Sequence, residues 1–362
     1  MRDEALAKTR RPLLLGVLVA FALASAYVWS LARLQPAGVD FAPLWTGARV
    51  ALSDPARLYD FRYVTELQGW PLGPDKLRPF AYPPTLALIL APFAGLPFLA
   101  AYGLWMAASG ALFLAAGLKA RAPWWFVVFA PVSLVVYAGQ VTFLVGALML
   151  FALALRNRPW LAGVLWGLAA CVKPQMLVFA PLGLLAEGRW RSLAGAAAAG
   201  LLTMALSAAA FGVQPWFEWV GSLGRFHDLV FSDPELAGDA ATPYGVLVLW
   251  GLPGWPAYLL VPVMAVLVWI VFRRTQDVTA RLAAVAGAAM LSGPYALAYD
   301  RAVIAPAVAA GLIGTLNDRR WLLSVACAAL YALIAPLGFL GVLGGMAMPW
   351  LAARAGRDHS AA

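Results

Sequence analysis

The sequence predicts an all-α polytopic membrane protein, and three observations carry that prediction. Of its 362 residues 63% are hydrophobic and only 12% charged, with a mean hydropathy of +0.80. No water-soluble domain needs that much apolar surface. Outside one long polar stretch, nearly all of the chain reads as apolar runs of helical length. The basic residues behind the net charge of +9 fall in small clusters between those runs. That is the pattern of charges that orient membrane helices, and not of a nucleic-acid face. Cys171 and Cys327 both lie inside apolar runs, and His227 and His359 match no zinc spacing. Neither a disulfide framework nor a metal site is implied, and no cofactor is expected.

The basic opening, MRDEALAKTRR, precedes an apolar run from Pro12 to Leu34. The run is too long for the core of a signal peptide and lacks a small-x-small cleavage pattern. Residues 12–34 are therefore expected to be a retained first span with its N-terminus inside. The first long polar interruption follows, from Gln35 to Pro84, and it gathers Asp40, Asp54, Asp60 and Glu66. Beyond it, Pro83, Pro84, Pro92 and Pro97 break the next apolar stretch. A span needs about 20 apolar residues, which Phe98 to Leu118 supply. The whole of 35–97 then reads as a large first extracytoplasmic loop with interfacial helices.

Placing basic turns inside gives a regular alternation. Inside are Lys119 and Arg121, Arg156 and Arg158, Arg189 and Arg191, Arg273, Arg274 and Arg281, and Arg319 with Arg320. Outside are Gly139-Gln140, Lys173-Pro174-Gln175, a second loop at 212–255, and Tyr299-Asp300-Arg301. The spans around Gln140 and Lys173 are short, roughly 14–16 residues, so those turns are expected to sink into the outer leaflet. The chain is thus expected to be one membrane-embedded domain of about 11–12 transmembrane helices. Its parts are the first span, the first loop, a helical module at 98–211, the second loop, and C-terminal helices at 256–353. No internal repeat is visible.

Polar side chains at membrane depth are costly and so are candidates for function. Asp40 opens DFAPLW just past the first span. It can cap an interfacial helix or, ionised, take a proton from an attacking hydroxyl; the two roles are compatible. Lys173, with Gln175 beside it, is a cation on the outer side, able to snorkel to the interface or to hold a phosphate leaving group. Asp300 and Arg301 make either a local pair or part of a site. Gln140 can bind a sugar hydroxyl or join helices. Arg49 lies nine residues beyond Asp40 on the expected interfacial helix and is the best placed loop cation for phosphate. Gly163 to Gly167, GVLWG, fits the small-xxx-small pattern of close helix packing.

Five stretches, in order, resemble a known family: DFAPLWTGARVALSDPARLYD, PFAYPPTLALILAPFAGLP, YAGQVTF, GVLWGLAACVKPQMLVFAPLGLLAEGRWRS and SGPYALAYDRAVIAP. Together they resemble glycosyltransferase family 87, over residues 12–316. The resemblance implies a GT-C-like helical bundle in the plasma (inner) membrane. It also implies inverting transfer from a polyprenyl-phosphate sugar to an envelope lipid or glycan on the extracytoplasmic face. By motif, Asp40 would be the base, and Tyr82 to Pro84 the element in front of the cavity. The better-known mannosyltransferases of the family carry histidine where this chain has Tyr299-Asp300, so the sugar stays open. A lipid or sugar transporter is the alternative class, but it usually shows repeats and midplane polar residues.

Overall fold

Apolar sequence in a bilayer must satisfy every backbone polar group within itself. The structure, a computed structural model, is correspondingly helical. It describes residues 2–30, 36–70, 76–233, 237, 239–316, 318, 320–332 and 338–360. Leu31–Leu34, at the end of the expected first span, and Arg319 lie outside the described residues. Among the described residues there is no β-strand, only an isolated bridge between Ala240 and Leu297.

The chain opens with α1 (Arg2–Ser30), and the first loop folds into α2 (Phe41–Ser53), a 3-10 turn at Pro55–Arg57 and α3 (Phe61–Leu67). Pro83 then starts α4 (Pro84–Leu90), whose N-terminal proline supplies no orphan N–H. The central helices are α5 (Phe98–Lys119), α6 (Ala130–Ala138), α7 (Thr142–Ala154), α8 (Pro159–Val172), α9 (Ala180–Ala186) and α10 (Trp190–Phe211). Among the described residues, the expected second loop holds α11 (Gln214–Ser232) and α12 (Pro243–Leu249). The chain continues through α13 (Leu260–Arg274), α14 (Val278–Ser292), a 3-10 helix at Ala298–Ile304, α15 (Ala305–Gly314), α16 (Trp321–Ala332) and α17 (Gly338–Ser360).

Three helical stretches, Phe98–Lys119, Trp190–Phe211 and Trp255–Arg274, are long and apolar enough to cross a bilayer by length and composition. The charge pattern alone predicts about 11–12 crossings. Much of the difference comes from shorter apolar helices, because polar and proline-containing turns cut the runs. Gly139-Gln140 separates α6 from α7, and Lys173-Pro174 ends α8. These are the two outer turns expected to lie at depth.

Two ends of the helical layer carry different chemistry. At one, Glu187 accepts from Arg281 at 2.6 and 3.2 Å, Arg189 sits 3.4 Å from it, and Arg189 also donates to the Arg156 carbonyl at 2.7 Å. Arg273 donates to the Ala186 carbonyl there at 3.1 Å. Gln140, Lys173 and Asp300 gather at the opposite ends of α7 and α8. A helix of that length rises roughly 20 Å. The turns assigned to the two faces by charge are separated accordingly.

The GVLWG pattern marks a close helix crossing. A Cβ on Gly163 would lie 2.3 Å from the Ser192 carbonyl oxygen, and one on Gly167 2.4 Å from that of Ala196. The backbones of α8 and α10 are therefore in contact, and no flexible side chain is there to yield. Gly167→Ala is expected to cost about 1–3 kcal/mol of stability by overpacking, read as a lowered unfolding temperature in detergent. Replacement of Gly103, whose Cβ would meet nothing within 4 Å, is the matched control.

Candidate active site

Two glycines bring the first loop against the centre of the bundle. Gly139 ends α6 at φ +82°, and Gly38 precedes α2 at φ +82°. A Cβ on Gly139 would lie 2.5 Å from Cβ of Phe41 and 3.3 Å from Cα of Gly38, so the two turns pack backbone to backbone. Gly38 N–H donates to the Tyr137 carbonyl at 2.7 Å, and Asp40 N–H to the Ala138 carbonyl at 2.9 Å. This splice carries Asp40 to Gln140, 100 positions along the chain.

Asp40 occupies the N-cap position of α2 but makes no side-chain capping bond. Its carboxylate turns inward, where Gln140 Nε2 donates to Oδ2 at 2.8 Å. A carboxylate only accepts, so it fixes the amide with Oε1 pointing away. Tyr82 Oη donates to that Oε1 at 2.7 Å, and Tyr59 Oη donates to the Tyr82 carbonyl at 2.7 Å. Burial pushes the Tyr82 hydroxyl well above its ordinary 10, which keeps it a donor. Burial likewise raises the Asp40 carboxyl above its ordinary 3.8, offset in part by the Gln140 bond and by the charges of Arg78 and Lys173. A raised pKa makes the ionised carboxylate a stronger base.

Asp40, Tyr82 and Gln140 open on a cavity of about 620 Å³ between α1, α2, α6, α11 and the segment before the Ala298 3-10 helix. Its walls are mostly apolar, from Tyr27 and Val28 on α1 to Leu134 on α6 and Phe226 on α11. Two cations unremarked in the sequence, Lys76 and Arg78, also line it. Arg78 stands just before the PFAYPP stretch; without the fold it reads as one more solvated loop residue.

The other sequence candidates are brought near one another but do different work. Lys173 and Asp300 form a buried pair at 2.5 Å, their side chains 1% and 0% exposed. Asp300 also accepts from Thr142 Oγ1 at 3.1 Å and from Leu297 N–H at 3.1 Å, and Lys173 Nζ lies 5.3 Å from the Tyr299 ring centre. The pair therefore stands behind the cavity wall that Tyr299 and Leu297 supply. Gln175 is half-buried in the 3-10 turn after it and does not line the cavity. Arg301 is fully buried and ties its helix to α16, donating to the Ala298 and Tyr331 carbonyls at 3.2 and 3.3 Å. Arg49 is exposed and stacks over Trp45 at 4.5 Å, away from the cavity. Neither Lys173 nor Arg49, the cations expected to hold phosphate, lines the cavity, and nor does Arg301.

Fold and cavity together define a membrane protein with a carboxylate-bearing polar site at one end of its helices. The family model for glycosyltransferase family 87 matches residues 80–299, and the chain belongs to that family. It is similar to a polyprenol-phosphate-mannose-dependent alpha-(1-2)-phosphatidylinositol pentamannoside mannosyltransferase of Mycolicibacterium smegmatis. The two are 28% identical over 281 residues, 66% of this chain and 64% of the relative. The chain thus spans less than two thirds of that relative's length. No solved structure matches the chain. Asp40 lies before the matched segment, while Tyr82, Gln140 and Lys173 lie inside it.

Proposed function

We propose that this chain transfers a sugar, mannose or another hexose or pentose, from a polyprenyl-phosphate donor to a hydroxyl of an envelope lipid or glycan. The reaction would take place at the extracytoplasmic face of the plasma membrane, with inversion and with Asp40 as general base. The reading takes the chain as one membrane-embedded domain of about 11–12 crossings. The observation that carries it is the Asp40 carboxylate, turned away from its capping role and held by Gln140 at the wall of the cavity. Family membership and the donor in the relative's name support the class of reaction and of donor.

The chemistry balances in one displacement. The acceptor oxygen forms a bond to the anomeric carbon as the bond from that carbon to the phosphate oxygen breaks. The acceptor's proton goes to Asp40, and the bonding pair leaves with the phosphate. Nucleotide sugars are cytoplasmic, so a donor used outside must arrive on a lipid. The apolar wall formed by Tyr27, Val28 and Leu134 suits the first isoprene units. The test is transfer of label from a panel of polyprenyl-phosphate sugars by protein in nanodiscs, with the product's anomeric configuration read by NMR. Inverted product is expected. Retained configuration contradicts the single displacement, and donor flipping in liposomes without transfer favours the transporter class.

Gln140 gives a second expected result. Gln140→Leu removes the donor that stabilises the ionised form of Asp40, so the Asp40 pKa rises further. The acid limb of the transfer rate should move to higher pH and kcat should fall by about tenfold or more, with KM little changed. A pH profile of the variant beside wild type checks both.

A further inference from the structure

We infer that Arg78, assisted by Lys76, binds the phosphate of the lipid donor and carries its charge as the sugar departs. This rests on the polyprenyl-phosphate reading above and supplies the part of the site which that reading lacks. A sugar phosphodiester carries one negative charge, and the phosphate monoester it leaves behind carries up to two. The charge that grows is on the leaving oxygen, so a cation there is stronger in the transition state than in the ground state.

The cavity decides which cation. Among the described residues, Lys76 and Arg78 are the Lys and Arg that line it. Arg301, Lys173 and Arg49 are committed to carbonyls, to Asp300 and to the outer face of α2, respectively. Lys76 lies 4.0 Å from Asp233, which with Asp239 lines the same cavity, so its charge is shared. Arg78 is the better fixed of the two. Its N–H donates to Thr65 Oγ1 at 2.9 Å, and its carbonyl accepts from Gln68 Nε2 at 2.7 Å. Thr65 and Gln68 are themselves bonded back to the α3 region, to the Phe61 and Val64 carbonyls. The guanidinium reaches from this clamp to donate to the Val39 carbonyl at 3.2 Å, the residue before the base. A planar fork of N–H donors can serve that carbonyl and a phosphate together.

The arrangement gives α3 a purpose. It is a short helix of the first loop with no residue of its own lining the cavity, and its buried Thr65, with Gln68 just after it, holds the Arg78 backbone from both sides. Arg78 also lowers the Asp40 pKa against the effect of burial, so departure of a bound phosphate changes the field at the base.

The test uses farnesyl phosphate as a short-chain probe and farnesol as its uncharged counterpart, with the full chain in nanodiscs and binding read by tryptophan fluorescence. Wild type is expected to bind farnesyl phosphate and to bind farnesol far more weakly. Arg78→Gln should weaken farnesyl phosphate by about tenfold or more, and Arg78→Lys, which keeps charge but loses the fork, by less. Lys76→Gln should fall between wild type and Arg78→Gln. In parallel, wild type is treated with an arginine-modifying dicarbonyl reagent. Farnesyl phosphate should slow modification of Arg78 and leave that of Arg49 unchanged, a readout that needs no variant to fold. Equal binding by Arg78→Gln, or no protection of Arg78 while farnesyl phosphate binds, overturns this assignment and leaves the donor class standing. Failure of wild type to bind farnesyl phosphate at all removes the donor class and this assignment with it.

Discussion

Asp40→Asn is expected to leave only a small residue of transfer while keeping the protein as stable as wild type or more so. Removing a general base lowers the rate by roughly 10²–10⁴-fold. Gln140 Nε2 can still donate to the asparagine Oδ1, so the local geometry has no reason to change. The stability sign follows from the raised pKa. Burial lifts the folded-state value above the unfolded one, so any stability the protonated form contributes is present at low pH and lost as pH rises through the folded value. Where Asp40 is ionised, as a base must be, the fold holds a disfavoured charge, and an amide relieves it. Activity bought with local instability is a common trade at catalytic positions. Initial rates with labelled donor and unfolding temperatures in the same detergent give both halves. A variant that loses activity together with a large fall in unfolding temperature would point to a structural role.

Lys173→Met is expected to destabilise the protein strongly. The lysine and Asp300 are 1% and 0% exposed, and removing one partner of a buried pair leaves an uncompensated charge, at a cost of about 3–5 kcal/mol. The double variant Lys173→Met/Asp300→Asn should recover most of that loss, because replacing both charges removes the desolvation penalty as well as the attraction. The Leu297 N–H can donate to the new amide oxygen, and the Thr142 hydroxyl can accept from its Nδ2. Thermal unfolding of the two variants beside wild type measures it. A double variant as unstable as the single one would mean that the pair does more than neutralise itself. Because the pair backs Tyr299 and Leu297 in the cavity wall, the double variant should keep measurable transfer.

How much of this was legible in the sequence differs from residue to residue, for physical reasons. Helical class, the breaks at Gly139-Gln140 and Lys173-Pro174, and the tight crossing at Gly163 and Gly167 are local properties, and local sequence carries them. Asp40 stood out because few carboxylates occur in so apolar a chain. Its partner does not: Gln140 suits either a sugar hydroxyl or a contact between helices, and only the fold shows it holding the base. Lys173 and Asp300 are 127 positions apart, so each looked like a separate polar group reaching for substrate until the structure paired them. Arg301 reads from sequence as half of a local pair with Asp300 or as part of a site, and is a fully buried tie to Tyr331. Arg78 escaped notice because a basic residue in a polar loop is usually solvated. Its clamp depends on Thr65 and Gln68, 13 and 10 positions away.

The central claim is that Asp40 acts as the base in a sugar transfer, and the pH dependence of kcat/KM tests it most directly. Wild type should lose activity as pH falls, because protonation removes the base, and the limb should lie above the ordinary carboxylate value of 3.8. The residual transfer of Asp40→Asn, measured with labelled donor over the same range, should lack that limb. An Asp40→Asn enzyme whose smaller rate shows the same acid limb as wild type would contradict the account and assign the base to another group.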